Sequence, residues 1–479
     1  MFSIILAVFT PKFTETAVYM LQTCEYQAIP YLKWLWSTND FRKVMYRRTL
    51  NKTRKARMLL TFMRAGIILQ TLVAVGLIVY ASDNDAGELY IIAGSLVMIS
   101  SVLWANLLVV PILVARYLVV KPQSAILVWK TRNILTNHPG VKIAVAGSYG
   151  KTTVKEILLT VLSEGRNVAA TPANKNVAIS HAKFAQGLKG DEDVIIIEYG
   201  EGKPGDVIKF ARATKPNIGV ITGLAPAHLD RYKTLKATGG DIFSLADYLS
   251  DNVVYVNGDS SSLNGFIKKS HIVYDASGLD GWKVGNVKSD IEGLNFTLKK
   301  GTTSLNIKSH LVGQHQLGAL SLAAVIAHKL GLSKAEIEKG AAKTKPFEHR
   351  MKPISVSGGW LIDDSYNGNI EGIKAGLELL KELSAMRKVY ITPGLVDQGI
   401  DSPAIHKTLG RLIAKANPDV VVLIKHTVTD DILQGIKDGE YKGQVRIEDD
   451  PLDFYTNINH FIAKGDLVLM QNDWPDNYN

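Results

Sequence analysis

The hydrophobic pattern changes character once along the chain. The first quarter holds two long apolar runs. Ala65–Ala81 reads AGIILQTLVAVGLIVYA, and it extends back to Leu59, Leu60, Phe62 and Met63 if Arg64 snorkels its head into water. Leu89–Ala115 carries no charged residue. A bilayer core takes about 20 apolar residues of helix, so both runs are long enough to cross one. The expectation is a hairpin of two transmembrane helices near 65–81 and 89–115. Ahead of it, MFSIILAVF stops at Pro11 and Lys12 and lacks the basic start and cleavage site of a signal peptide. Tyr26, Tyr31, Trp34 and Trp36 suggest an interfacial helix, which leaves open whether residues 1–41 enter the membrane.

From Lys142 onward the apolar runs shorten to strand length. KIAVAG (142–147), VIIIEYG (194–200), IGVITGL (218–224) and VVYVNGD (253–259) alternate with helical stretches. A second series follows: WLIDDSY (360–366), KVYITPG (388–394), VVVLIKH (420–426) and LVLMQND (467–473). Uninterrupted apolar strands separated by helices are the signature of a parallel sheet covered on both faces. Alternation around 290–310 predicts an antiparallel hairpin, and Gln314–Leu330 predicts a helix. A boundary near Pro346 divides the chain into 1–125, 126–346 and 347–479. No internal repeat or low-complexity tract is visible.

Charge sharpens the membrane reading. The chain of 479 residues has 55 Lys and Arg against 45 Asp and Glu. Residues 1–125 hold 13 of the bases and 6 of the acids, so +7 of the net +10 belongs to the most apolar quarter. Basic and apolar together point to a lipid bilayer and away from nucleic acid. Arg42, Lys43, Arg47, Arg48, Lys52, Arg54, Lys55 and Arg57 precede the first run, and Arg116 and Lys121 follow the second. The loop SDNDAGE (82–88) carries only acids. The positive-inside rule then puts both termini and the soluble parts in the cytoplasm. The single cysteine, Cys24, excludes a disulfide framework and a cysteine metal cage.

The clearest chemistry lies at Ile143–Thr153, a strand, a glycine-rich turn and a helix start. Gly147 and Gly150, with Ser148 and Tyr149 between them, let backbone N–H groups close around phosphate oxygens. Lys151 reaches terminal phosphates, and the Thr152 hydroxyl, followed by Thr153, suits Mg²⁺. Val145 stands where the strict phosphate-loop pattern has its first glycine, so the motif is the shorter G-x-x-G-K-T-T.

That short form, followed by further motifs in order, resembles the Mur ligases, nearest the MurF type, over about residues 126–479. TPANKN (171–176) resembles the family's substrate loop, with Asn174 and Asn176 as substrate-binding candidates. Glu198 ends a strand where the family keeps a Mg²⁺-binding glutamate. TGLAPAHLDRY (222–232) places His228 as a catalytic and metal candidate. GQHQLGALSLAA (313–324), FEHR (347–350) and LIDDSYNGN (361–369) resemble later family motifs, and NDWPDNY (472–478) an ending seen in some members. From these, Arg350 is a candidate for catalysis and ATP binding, and Asp364, Tyr366 and Asn367 for ATP binding. The resemblance implies an α/β protein with a central P-loop parallel-sheet ATPase domain and a C-terminal Rossmann-like domain, behind the transmembrane hairpin. It implies an ADP-forming ligase using ATP and Mg²⁺. Its partners would be a muramoyl-peptide precursor, UDP- or lipid-linked, an amino acid or dipeptide, and other cell-wall enzymes. A C-terminal domain hinged near Lys345–Phe347 would swing in, leaving Arg350 and Asp364 away from Lys151 when nucleotide is absent.

Three departures stand out. Most members carry a carbamylated lysine after the histidine, where this chain has Gly239 or Gly240, with Lys233 and Lys236 nearby. The family's base-contacting asparagine falls on Ala319. The membrane segment stands where the family's UDP-sugar-binding domain would be. The leading reading is a membrane-anchored ligase. The alternatives are a membrane-tethered nucleotide-binding scaffold for cell-wall assembly, or a ligase for a poly-amino-acid.

Overall fold

A computed structural model describes residues 7–24, 26–41, 44, 50–173, 175–226, 232–250, 253–366, 368–395, 398 and 401–472. Asn174, His228, Asn367 and most of NDWPDNY lie outside the described residues. The chain forms two compact units, Met1–Ile126 and Leu127–Asn479.

In the first unit, helix Arg54–Asn84 packs along helix Glu88–Leu107. The first is longer than its apolar run because Thr53 caps it, accepting from the backbone N–H of Ala56, and Asp85 ends it in the left-handed region. Small residues make the seam: Ala74, Ala81, Ala93 and Ala105 are buried, and a Cβ on Gly66 would meet the Trp104 ring at 2.3 Å. Gln70 interrupts the apolar run, yet both ends of its amide are bonded across the seam. Its Nε2 donates to the Leu96 carbonyl at 2.8 Å, and its Oε1 accepts from Trp104 Nε1 at 2.8 Å. The outer faces remain apolar and exposed, including Ile68, Leu69, Leu72, Ile91, Ile92 and Met98. The second run continues as helix Val109–Ala115 and a π turn, Arg116–Val120. By length and composition the helices after Thr53 and after Gly87 are long and apolar enough to cross a membrane.

Helices Pro11–Thr23 and Ala28–Ser37 are each too short to span about 30 Å of hydrocarbon. They pack on the hairpin through Phe13, Val18, Leu21, Tyr31 and Leu35, against Leu59, Met63 and Leu108. The Tyr31 hydroxyl donates to the Ala105 carbonyl at 2.9 Å, and Trp36 Nε1 to Asn106 Oδ1 at 2.9 Å.

The second unit contains two sheets. The larger comprises β1 (Val141–Ala146), β2 (Val168–Ala170), β3 (Val194–Glu198), β4 (Ile218–Ile221), β5 (Val253–Asn257), β6 (Ile272–Asp275), β7 (Gly278–Leu279), β8 (Trp282–Asp290), β9 (Gly293–Lys300) and β10 (Thr303–Ser309). Its order is β10-β9-β8-β7-β6-β5-β4-β1-β3-β2. Strands β2 to β6 pair in parallel, while β6 to β10 form an antiparallel extension containing the expected hairpin. Strands β1 and β3 are buried on both faces, which is why they read as unbroken apolar runs. Helix Lys151–Leu162 covers one face, and helices Asp206–Thr214 and Leu235–Leu249 the other.

The smaller sheet comprises β11 (Lys352–Val356), β12 (Gly359–Asp364), β13 (Arg387–Thr392), β14 (Val420–Ile424), β15 (Gln444–Glu448) and β16 (Asp466–Gln471). Its order is β11-β12-β16-β13-β14-β15, parallel except for β11 with β12. Both sheets are the α/β architecture expected from the two series of apolar runs.

Candidate active site

Chain order and sheet order part company at β1, whose neighbours are β3 and β4. Ligands of open α/β sheets bind beyond the carboxyl ends of strands at such a switch. Residues 147–153 leave β1 at that end. Gly147 has φ +147° and Gly150 φ +76°, and a Cβ on Gly147 would lie 2.3 Å from Thr222 Oγ1. The turn is tied to the end of β4. Ser148 N–H donates to the Gly223 carbonyl at 2.9 Å, its Oγ accepts from Ala225 N–H at 2.6 Å, and the Thr222 hydroxyl donates to the Tyr149 carbonyl. Tyr149 lies flat enough on Gly223 that a Cβ there would meet its ring at 2.3 Å. Burial pushes the Tyr149 hydroxyl up; a hydrogen bond with Ser260 opposes this, and the charges of Glu371 and Asp259 add to it.

Register places the first carboxylate. Val145 pairs with Glu198 across β1 and β3, so Glu198 ends beside the phosphate loop. Its Oε1 accepts from Thr152 Oγ1 at 3.2 Å and Asn176 Nδ2 at 3.1 Å. Its Oε2 is buried without a hydrogen bond, 3.3 Å from Nζ of Lys155. The Glu198 carboxylate, with Oε1 on the Thr152 hydroxyl and Oε2 facing only Lys155 Nζ, offers with that hydroxyl the oxygen donors that Mg²⁺ takes. Lys155, fully buried, also donates to the Thr171 and Ala173 carbonyls. It joins the Lys151 helix to the 171–176 loop and to Glu198. His181 supports this from below: burial holds its imidazole down to about 4, so it is neutral at pH 7 and donates from Nε2 to the Glu198 carbonyl at 2.8 Å. Lys151 turns back to the Gly147 carbonyl at 2.5 Å and to Glu201 Oε2 at 2.7 Å. Lys155, His181 and Glu201 were not among the sequence candidates. The only sequence signal was the position of Lys155, one helical turn after Lys151.

The Arg350 guanidinium sits 4.4 Å from the Tyr366 ring centre, and the charges of Asp364 and Glu198 act on it. Burial lowers its pKa, and those neighbouring charges oppose this. The turn that carries it is strained, with φ +60° at His349 and +45° at Met351. It is fastened by Tyr366 N–H donating to the His349 carbonyl at 3.2 Å, and by His349 Nδ1 with Asp363 at 2.8 Å. Asp364 is bonded on both oxygens, by Met351 N–H at 3.2 Å and Gln471 Nε2 at 2.8 Å. Burial pushes its carboxyl up to about 6, against those bonds and Arg350.

A raised carboxyl pKa makes the folded form hold its proton longer than the unfolded chain. The contribution of Asp364 to stability should therefore fall as pH rises from about 4 through 6, by about 1–3 kcal/mol, and then level off, while His181 and His315, both held down to about 4, act in the opposite direction over the same window. The Asp364 part is read as a difference: denaturant midpoints of wild type minus Asp364→Asn should decline across that window.

The missing lysine has a structural counterpart. A Cβ on Gly239 would lie 2.4 Å from the Phe266 ring, which stacks on Phe243 at 5.1 Å. Gly240 faces open space, and Lys233 and Lys236 are exposed. Gly239→Lys should overpack this site and cost about 1–3 kcal/mol in urea unfolding.

Residues 145–327 match the Mur ligase middle domain, and 349–471 the Mur ligase glutamate ligase domain. The chain belongs to the Mur ligase family. Mur ligases are ATP-dependent, ADP-forming enzymes that use Mg²⁺. This Mur ligase is 28% identical over 296 residues to the UDP-N-acetylmuramoyl-tripeptide–D-alanyl-D-alanine ligase of Escherichia coli strain K12, covering 60% of this chain and 65% of that one. It is 28% identical over 286 residues to the ligase of the same name from Treponema pallidum strain Nichols, covering 59% and 61%. It thus spans less than two thirds of either relative. Its fold resembles MurF from Acinetobacter baumannii (TM-score 0.64, 20% identity, 73% of this chain and 77% of the other). It also resembles Thermotoga maritima MurF solved with ADP (TM-score 0.63, 20% identity, 73% and 80%).

Proposed function

We propose that this chain is a membrane-anchored, MurF-like ligase that adds D-alanyl-D-alanine to a muramoyl peptide through an acyl phosphate. The observation that carries the reading is the cluster of Lys151, Thr152 and the half-bonded Glu198 at the ends of β1 and β3. A substrate carboxylate oxygen attacks the terminal phosphorus of ATP and ADP leaves; the amine then displaces phosphate to form the amide. Thr152 and Glu198, with His228 as a third candidate, would hold Mg²⁺, which would supply the charge that lets two anions approach. The N–H groups of residues 147–153 and Lys151 hold phosphates. Arg350, stacked on Tyr366, lends positive charge to bound nucleotide; Asp364 and Asn367 are further nucleotide-binding candidates. Asn174 and Asn176 are the acceptor-binding candidates. The domains are taken as 1–125, 126–346 and 347–479, with segments 65–81 and 89–115 spanning the bilayer, residues 82–88 outside, and the catalytic unit in the cytoplasm.

The test is phosphate release from ATP in detergent, with D-alanyl-D-alanine and UDP- or lipid-linked acceptors compared. Release that requires both substrates supports the ligase, and the acceptor that works identifies the linkage. Phe266 filling the space beside Gly239 favours a second reading, a nucleotide-binding scaffold of the membrane. Binding of ATP without release under any acceptor would select it.

A further inference from the structure

Glu201 belongs to none of the roles above, yet it is almost wholly buried and its carboxylate is spent on Lys151. The two side chains keep only 5% and 11% of their exposure. The contact comes from chain geometry. After β3 ends at Glu198, the backbone passes close under Asn176, where a Cβ on Gly200 would lie 2.7 Å from Asn176 Oδ1. Gly200 N–H donates to the Asn176 carbonyl at 3.0 Å. That tight passage delivers Glu201 to the mouth of the phosphate loop, where its Oε2 stands 2.7 Å from Lys151 Nζ. The same lysine bonds the Gly147 carbonyl at 2.5 Å, folding back over the loop.

This arrangement satisfies the lysine with an internal anion in the place where a phosphate would otherwise serve. A nucleotide that enters must compete for Nζ, and it brings its own negative charge towards Glu201 in a site with little water to screen either. Resting on the reading that Lys151 binds ATP phosphates, we propose that Glu201 is a positioning residue. It parks Lys151 while the site is empty, yields it to the terminal phosphates, and reclaims it as nucleoside diphosphate leaves. Glu201 therefore sets how tightly nucleotide is held and how readily product departs. A purely orienting role has the opposite sign: a carboxylate that steers Lys151 onto phosphate would weaken nucleotide binding when removed.

The experiment uses the full chain in detergent and measures binding of a fluorescent ADP, together with KM and kcat for ATP. Glu201→Gln keeps the shape and removes the charge. ADP should bind about tenfold more tightly and KM for ATP should fall, with kcat unchanged or lower as release slows. Glu201→Asp, which keeps the charge but withdraws it by one methylene, should lie between wild type and Glu201→Gln. It also serves if Glu201→Gln fails to fold. Unchanged or weaker ADP binding in the folded variants overturns the proposal while the phosphate-site reading stands. A wild type that binds no ADP, or a Lys151→Ala variant that binds it as well as wild type, overturns both.

Discussion

Lys151→Ala is expected to lower ATP-dependent ligation by at least about a hundredfold, roughly 3 kcal/mol of transition-state stabilisation. The lysine is the one cationic side chain within the phosphate turn 147–153. Lys155 is fully buried beneath the 171–176 loop and committed to Glu198 and two carbonyls. The variant also leaves Glu201 buried beside an empty space, and an uncompensated buried charge costs about 3–5 kcal/mol. Loss of activity through unfolding must be separated from loss through chemistry. The pair Lys151→Ala with Glu201→Gln restores neutrality. It should recover the melting temperature while staying as inactive as Lys151→Ala alone. Near wild-type turnover in either variant would mean that residues 147–153 do not bind the transferring phosphate.

Removal of residues 1–126 is the second large effect expected. Full-length protein should sediment with membranes and require detergent, whereas Leu127–Asn479 should appear in the aqueous fraction as a folded protein. The argument is one of area. Exposed Ile68, Leu69, Leu72, Val73, Ile91 and Met98 would each gain about 1.5–3 kcal/mol on leaving water, so partition should be all-or-none. The rest of the chain forms a compact unit with its own cores. A shortened chain that still sediments with washed membranes would show that the catalytic unit carries its own anchor. Alkaline extraction of the full chain would show that helices 54–84 and 88–107 lie on the bilayer.

The parts legible in the sequence are those governed by short-range rules. The phosphate turn needs two glycines with positive φ between a strand and a helix, and Gly147 and Gly150 stand at those places. Strands buried on both faces appear as unbroken apolar runs, so β1, β3, β13, β14 and β16 were readable one by one. Gln70 shows the limit. In sequence it is a polar flaw in an apolar helix, and its meaning depends on Trp104 and Leu96 of the neighbouring helix.

Glu198 was identifiable because it ends an apolar strand within a motif. Glu201, three residues on, resembles any loop acid until β1 and β3 are aligned and Gly200 is pressed against Asn176. The absence of a lysine at Gly239 was plain in the sequence. That Phe266 fills the space, with Lys233 and Lys236 turned to solvent, required helix Leu235–Leu249 to be set against the segment after β5. Arg350 was recognised as a motif residue; that it stacks on Tyr366 required the turn at 349–351 to be fastened to β12 through His349 and Asp363. The sequence by itself determined the elements, the phosphate turn and the family, because each depends on residues within about one turn or one strand of each other. The charge pairs around Lys151 and Glu198 were decided only by tertiary structure. Their partners lie 50 and 43 positions apart, Lys151 with Glu201 and Lys155 with Glu198, and only the parallel register of the sheet brings them together.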